Sequence, residues 1–280
     1  MKVARFATKL CLIVMLAASF GILSAAPAHA QDSMQRMLQQ RTLKVGWISA
    51  PPTAYKDPKS GEVTGTYIDI VKYILDQIKV KPEFIETSWS TFAAGLQAKQ
   101  FDLVVGGTFA TIGRASAVSF TVPINYMGYT ASARKDDNRF KTLADIDKAG
   151  VKVAVILGGG GQDFVRRTFK NAEIVTLNTS DLTADLAAVD AKRADVAIED
   201  VWATTRYINE HPTMVNLFPD KPFNIQAIAW TVRHGDTEFL QFLNTALENM
   251  RINGMLETIA SRFPTKGHFI VEETYKPFGQ

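Results

Sequence analysis

Cysteine is nearly absent from this 280-residue chain: there is one, Cys11. Beyond it no disulfide, thiolate nucleophile or cysteine-ligated metal is available. Histidine is almost as scarce. His29 sits in the N-terminal segment, and His211, His234 and His268 occur singly, outside any HExxH or cysteine-paired spacing, so zinc is not expected. Charge of one sign is also missing. The formal +3 traces to Lys2, Arg5 and Lys9, after which 28 basic residues face 28 acidic ones. That balance removes the electrostatic footprint of a nucleic-acid binder. No apolar run reaches the roughly 20 residues of a membrane span; the longest is Leu10–Leu23. There is no G-x-S-x-G nucleophile elbow, no P-loop and no dinucleotide fingerprint.

What is present is an ordinary globular composition, 46% hydrophobic and 21% charged, behind an export signal. Lys2, Arg5 and Lys9 precede the Leu10–Leu23 run, and Ala28-His29-Ala30 follows it, in the basic, apolar, small-x-small order of a secretory signal peptide. Residues 1–30 are therefore read as a signal peptide cleaved after Ala30, with the mature chain periplasmic.

The mature sequence alternates short apolar strands with amphipathic helices. Strands are expected at Leu43–Trp47, Glu83–Ile85 and Phe101–Val105, with a helix on Ile68, Val71, Ile74, Leu75 and Ile78 and another over Thr91–Lys99. The grammar repeats at Val151–Leu157, Ile174–Leu177 and Ala194–Ile198, with helices carrying Phe164, Val165 and Phe169, then Leu182, Leu186 and Val189. An apolar strand at Ala227–Val232 and an amphipathic helix with Phe239, Phe242, Leu243, Leu247 and Met250 close the chain. A β-α-β-α-β order repeated twice predicts two α/β lobes with mainly parallel, helix-covered sheets. An internal echo accompanies the repeat: Ala98-Lys99-Gln100-Phe101-Asp102 and Ala191-Lys192-Arg193-Ala194-Asp195, each followed by three apolar residues.

Ligands of open α/β sheets bind beyond the carboxyl ends of the strands, and three such ends carry suggestive residues. Gly106-Gly107-Thr108 exposes backbone N–H groups, and Arg114 follows closely enough to offer a guanidinium fork to a carboxylate; a surface arginine is the alternative. Gly158 to Gly161, between a strand and a helix, can hold an anion at the helix N-terminus or serve only as a flexible turn. Asp200 can pair with an ammonium group or cap the helix that begins near Val201. Trp89 and Trp47 can stack on a ligand or belong to the core.

Taken together and in order, these residues resemble the periplasmic solute-binding proteins of the polar amino-acid type that serve ABC importers. The likeness runs from Leu43-Lys44-Val45-Gly46 through Gly65–Ile70, Trp89–Leu96, Phe101–Thr108 with Thr111 and Arg114, Val153–Gly161 and Arg193–Asp200 to Ala227–Arg233. The resemblance implies a two-lobed periplasmic-binding-protein fold whose lobes are joined by two crossing strands. Lobe 1 would comprise 41–132 plus 228–280, and lobe 2 would comprise 133–227. It implies Arg114 as the α-carboxylate clamp, Asp200 as the ammonium partner and Trp89 as an aromatic lid, with Gly107, Thr108, Gly159 and Gly160 along the carboxylate. The implied partners are a small-molecule ligand, an amino acid above all, and an inner-membrane ABC permease. A monomer without cofactor is expected.

The departures narrow the ligand. Phe109 and Gly160 stand where the family commonly has hydroxyl side chains, and no acidic residue lies near Trp47–Ala50 as in binders of basic amino acids, which favours a neutral or aromatic amino acid. Phe140–Leu143, Ala149–Val151 and His211-Pro212 are most similar to an enzyme branch of the family, the cyclohexadienyl dehydratases. The glutamate that branch needs as a proton donor falls on Ala203, and Glu199 is expected to point differently from Asp200.

Overall fold

The computed structural model describes residues 33–219 and 221–263. The expected signal peptide and His268 lie outside them. The first half opens with helix α1 (Ser33–Gln40), strand β1 (Thr42–Ile48) and a hairpin of β2 (Tyr55–Lys56) and β3 (Val63–Thr64). Helix α2 (Thr66–Gln77), strand β4 (Lys81–Thr87), helix α3 (Phe92–Gln97), strand β5 (Leu103–Phe109) and the single turn α4 (Ile112–Ala115) follow. After β6 (Ser119–Phe120), the long strand β7 (Asn125–Arg134) leads to α5 (Leu143–Ile146), β8 (Lys152–Ile156), α6 (Gly160–Thr168), β9 (Glu173–Leu177) and α7 (Ala184–Asp190). The chain then runs through β10 (Val196–Asp200), α8 (Val201–Glu210), β11 (Met214–Asn216) and the second long strand β12 (Phe223–Val232) to α9 (Thr237–Ile252) and α10 (Met255–Ala260).

The strands form one path, β4-β1-β5-β12-β7-β10-β8-β9. Each end of it is parallel, β1 with β4 and β5, β8 with β9 and β10. The centre is antiparallel, where β12 pairs β5 and β7, and β7 pairs β10. Two helix-covered lobes are thus joined by two adjacent crossing strands in a periplasmic-binding fold. Strands buried on both faces need near-continuous apolar sequence, and β1, β5 and β8 have it: Leu43, Val45, Leu103, Val104, Val105, Val153, Ala154 and Val155 are fully or almost fully buried.

The expected elements are present with shifted ends. The strand predicted at Ala194–Ile198 starts at Val196, the predicted helix over Thr91–Lys99 is trimmed to Phe92–Gln97, and Phe263 lies beyond the last helix. The two echoed segments are structurally equivalent. Lys99 and Lys192 both take left-handed φ values, 57° and 60°, one residue past the capping alanines Ala98 and Ala191. Asp102 N–H then donates to Lys44 O, and Asp195 N–H to Lys152 O, each at 2.9 Å. The shared letters therefore encode one device used once per lobe, a left-handed helix exit that aims the chain into the neighbouring parallel strand.

Candidate ligand-binding site

A cavity lies between the lobes, lined from one side by Gly107 and Phe109 of β5, Trp89 and Arg114, and from the other by Ile156, Gly159, Gly160, Glu199 and Asp200. Tyr129 and Met127 of β7 line it as well. Six of the seven expected site residues are thus brought together. Thr108 is the exception. Alternation along β5 turns Gly107 and Phe109 to the cavity and Thr108 away, where its hydroxyl is buried without a hydrogen-bond partner among the described residues.

Arg114 reaches the cavity because Thr111 caps α4, its side chain accepting from Arg114 N–H at 3.2 Å. The guanidinium donates from Nη1 to Phe109 O at 3.1 Å and from Nη2 to Gly158 O at 2.5 Å, so one side chain ties strand β5 to the turn after β8. Its Cζ lies 5.8 Å from the Trp89 ring and 5.9 Å from the Phe92 ring, a cation–π seat. Trp89 therefore meets Arg114 directly, and its indole N–H has no partner among the described residues. Burial lowers the Arg114 pKa from its usual value, with the Tyr129 and Asp163 side chains opposing; the group stays cationic because arginine starts so high.

Gly159 caps α6, which begins at Gly160, so the positive end of that helix faces the same space as Arg114. The glycines are required by packing. Gly158 has φ +73°, and a Cβ there would sit 2.7 Å from Trp89 O. A Cβ on Gly160 would overlap the Tyr129 hydroxyl, and one on Gly161 would overlap Ile198 O.

The opposite wall is acidic. Asp200 does cap α8, its Oδ1 accepting from Trp202 N–H and Ala203 N–H at 2.8 Å each, and it lines the cavity too. Burial raises its pKa, opposed by those two N–H donors and by Arg206. Glu199, expected to point elsewhere, also lines the cavity, because strand alternation ends where β10 passes into α8; its Oε1 accepts from Asp200 N–H at 2.8 Å. Burial and then the Asp185 and Asp200 carboxylates push the Glu199 pKa well up. Asp185, fully buried on α7, is raised to about 8, chiefly by burial. Like charges in low dielectric cannot all ionise, so the Glu199–Asp185 pair holds a proton near neutrality.

The remaining walls are apolar and aromatic. Phe109 stacks on Tyr129 with centroids 4.6 Å apart, and Tyr67, whose hydroxyl donates to Asn125 Oδ1 at 3.0 Å, stands beside them. Arg206 lines the mouth and donates to Pro51 O across the cleft. Tyr129, Trp202 and Arg206 escaped sequence reasoning. The only available signal was the unusual Gly160, whose missing side chain implies that another residue fills that volume.

A cation on one wall, a helix end and carboxylates on the other and aromatic rings between them suit a small zwitterion. Comparison with known proteins agrees in kind. The sequence model of the bacterial extracellular solute-binding proteins, family 3, matches residues 43–266. A probable amino-acid ABC transporter-binding protein of Haemophilus influenzae is 28% identical over 234 residues, covering 83% of this chain and 88% of that one. Cyclohexadienyl dehydratase of Pseudomonas aeruginosa is 25% identical over 247 residues, covering 87% and 91%. Among solved structures, an ancestral amino acid-binding protein, a precursor of cyclohexadienyl dehydratase, is 27% identical with a TM-score of 0.74, covering 83% of this chain and 99% of that one.

Proposed function

Since the chain belongs to family 3 of the bacterial extracellular solute-binding proteins, and so captures solute for a transporter of the ABC type, we propose that its solute is a neutral or aromatic amino acid. The ligand binds between lobe 1, at 41–132 with 228–280, and lobe 2, at 133–227, and passes as closed complex to an inner-membrane permease. The mature periplasmic form begins after Ala30. The observation that carries this reading is Arg114, half-buried in the cleft and bonded to both sides of it. Two of its five N–H donors are committed, which leaves a fork for an α-carboxylate. Asp200 has one oxygen beyond its capping role for the α-ammonium group, and Trp89, Gly107, Gly159 and Gly160 complete the enclosure. Thr108, turned away from the cavity, acts through its strand only.

The test is thermal unfolding of ligand-stripped protein against the twenty L-amino acids. A binder at 1,000 times its Kd adds about 4 kcal/mol, or roughly 8–16 °C at this size. Arg114→Ala should weaken that binder at least about 30-fold, because truncating one partner of a buried charge pair costs about 2–5 kcal/mol. Unchanged affinity would overturn the assignment.

One observation favours a second reading, a dehydratase acting on prephenate or arogenate: Glu199 lines the cavity and burial pushes its pKa well up, the direction a general acid needs. Ala203, at the position of that branch's glutamate, speaks against it. Phenylpyruvate formed from prephenate, and lost in Glu199→Gln, would establish the enzyme; turnover no faster than in buffer removes it.

A further inference from the structure

The Tyr129 hydroxyl is a polar group of the cavity, beside the α6 terminus, that the binding scheme leaves unused. Tyr129 is 1% exposed, and its hydroxyl has no hydrogen-bond partner among the described residues. A buried hydroxyl without a partner is costly, and a hydrogen bond to a ligand in the cavity would offset that cost. Its position is fixed from three directions. The ring stacks on Phe109 at 4.6 Å and lies 6.5 Å from Phe164 in near-parallel orientation. The hydroxyl occupies the volume that a Cβ on Gly160 would need, at the first residue of α6. It is close enough to Arg114 for each to perturb the other's titration.

We infer that Tyr129 and Gly160 form a matched pair in which the phenol, arriving from the crossing strand, supplies the hydroxyl donor for the ligand carboxylate at the α6 terminus. This rests on the amino-acid reading and deepens it by naming a specificity-determining residue. The helix terminus contributes backbone N–H groups and dipole, Arg114 contributes charge, and Tyr129 contributes the only side-chain hydroxyl at that corner among the cavity-lining residues described around Gly160. Burial and the neighbouring Glu199 carboxylate hold the phenol well above its ordinary pKa, so it is a donor at every physiological pH. Because the donor is carried on a rigid ring wedged between Phe109 and Phe164, it tolerates less displacement of the carboxylate than a serine on the helix would. The pair thus selects ligands whose carboxylate sits deep against α6 and whose side chain extends toward the aromatic wall.

Two variants and their combination test this. The probe is whichever L-amino acid gives the largest thermal shift with the wild type, its Kd measured by titration calorimetry. Tyr129→Phe keeps the ring stack and removes one oxygen. It should weaken the probe about tenfold or more, the scale of a hydrogen bond to a charged group, while the melting temperature without ligand stays level or rises. A fall in that temperature with unchanged Kd would make Tyr129 merely structural and overturn the inference. Gly160→Ser alone should abolish binding by overlap with the phenol, and in a Tyr129→Leu background it should restore binding above that of Tyr129→Leu itself. Gly160→Ser equally harmful in both backgrounds would deny the pairing. If Tyr129→Phe binds normally while Arg114→Ala does not, this inference fails and the amino-acid reading stands; if no amino acid binds the wild type, both fail.

Discussion

At the residue scale, the Glu199–Asp185 pair makes the fold sensitive to pH in a direction opposite to a salt-bridged carboxylate. Their pKa values are raised by burial and mutual repulsion, so the native chain holds protons that the unfolded chain, with carboxyls near 4, has released. Stability is therefore greatest below about pH 4 as far as this pair is concerned, and declines as pH rises toward about 8, where Asp185 ionises. Asp185→Asn retains an oxygen for the Leu186 N–H donated at 2.8 Å and should raise the melting temperature at pH 8 while changing little at pH 4; thermal scans across that range read the slope directly. None of this was legible in the sequence. Asp185 stands among helical residues as an unremarkable polar letter, and only the fold places it behind Glu199. Asp200 and Arg114, by contrast, were legible because each ends or follows an apolar strand, where a charged side chain has an evident reason to face a ligand.

At the element scale, helix α1 is held by a polar cluster rather than by its apolar face alone. The Ser33 hydroxyl donates to Asp236 at 2.7 Å, Arg233 donates to Asp236 at 2.8 Å and to Ser33 at 2.8 Å, and Arg36 pairs with Asp102. Asp102 is the shared anion between Arg36 and Arg233. Asp102→Ala should cost about 3 kcal/mol, the low end for stranding buried charge since Arg36 is a quarter exposed. That corresponds to a loss of roughly 6–12 °C in Tm, with ligand affinity unchanged. The parallel strands could be read ahead because burial on both faces forces an apolar run between glycine or proline breaks. The crossing strand β7 could not. Its sequence, NYMGYTASAR, is polar in letters, yet Thr130 and Ser132 are completely buried. Neighbouring strands on both sides satisfy its backbone, and Thr130 Oγ1 finds Asn216 Oδ1 at 2.5 Å, so tertiary pairing overrides the pattern. Tyr129 lay hidden in that stretch for the same reason.

At the scale of the whole molecule, the contacts that span the cleft include Arg114 to Gly158 O, Arg206 to Pro51 O, and the close approach of Gly158 to the Trp89 backbone. Gly158→Ala should obstruct only the last of these, since its Cβ would meet Trp89 O at 2.7 Å. Its left-handed φ of +73° adds about 1 kcal/mol of local strain. The expected result is weaker binding by tenfold or more and a smaller ligand-induced contraction in X-ray scattering, with near-normal folding of each lobe. The two connections between the lobes are neighbouring strands of one hydrogen-bonded ladder, interrupted by a register shift between Phe223 and Gln226, and β12 carries a second shift, between Ala229 and Thr231, in its pairing with β5. A ladder resists stretching and shear but yields to torsion, most easily where its rungs are irregular. The two lobes are therefore geared rather than tethered: the motion expected of such a joint is a twist, and a permease that senses its angle would read occupancy without touching the ligand.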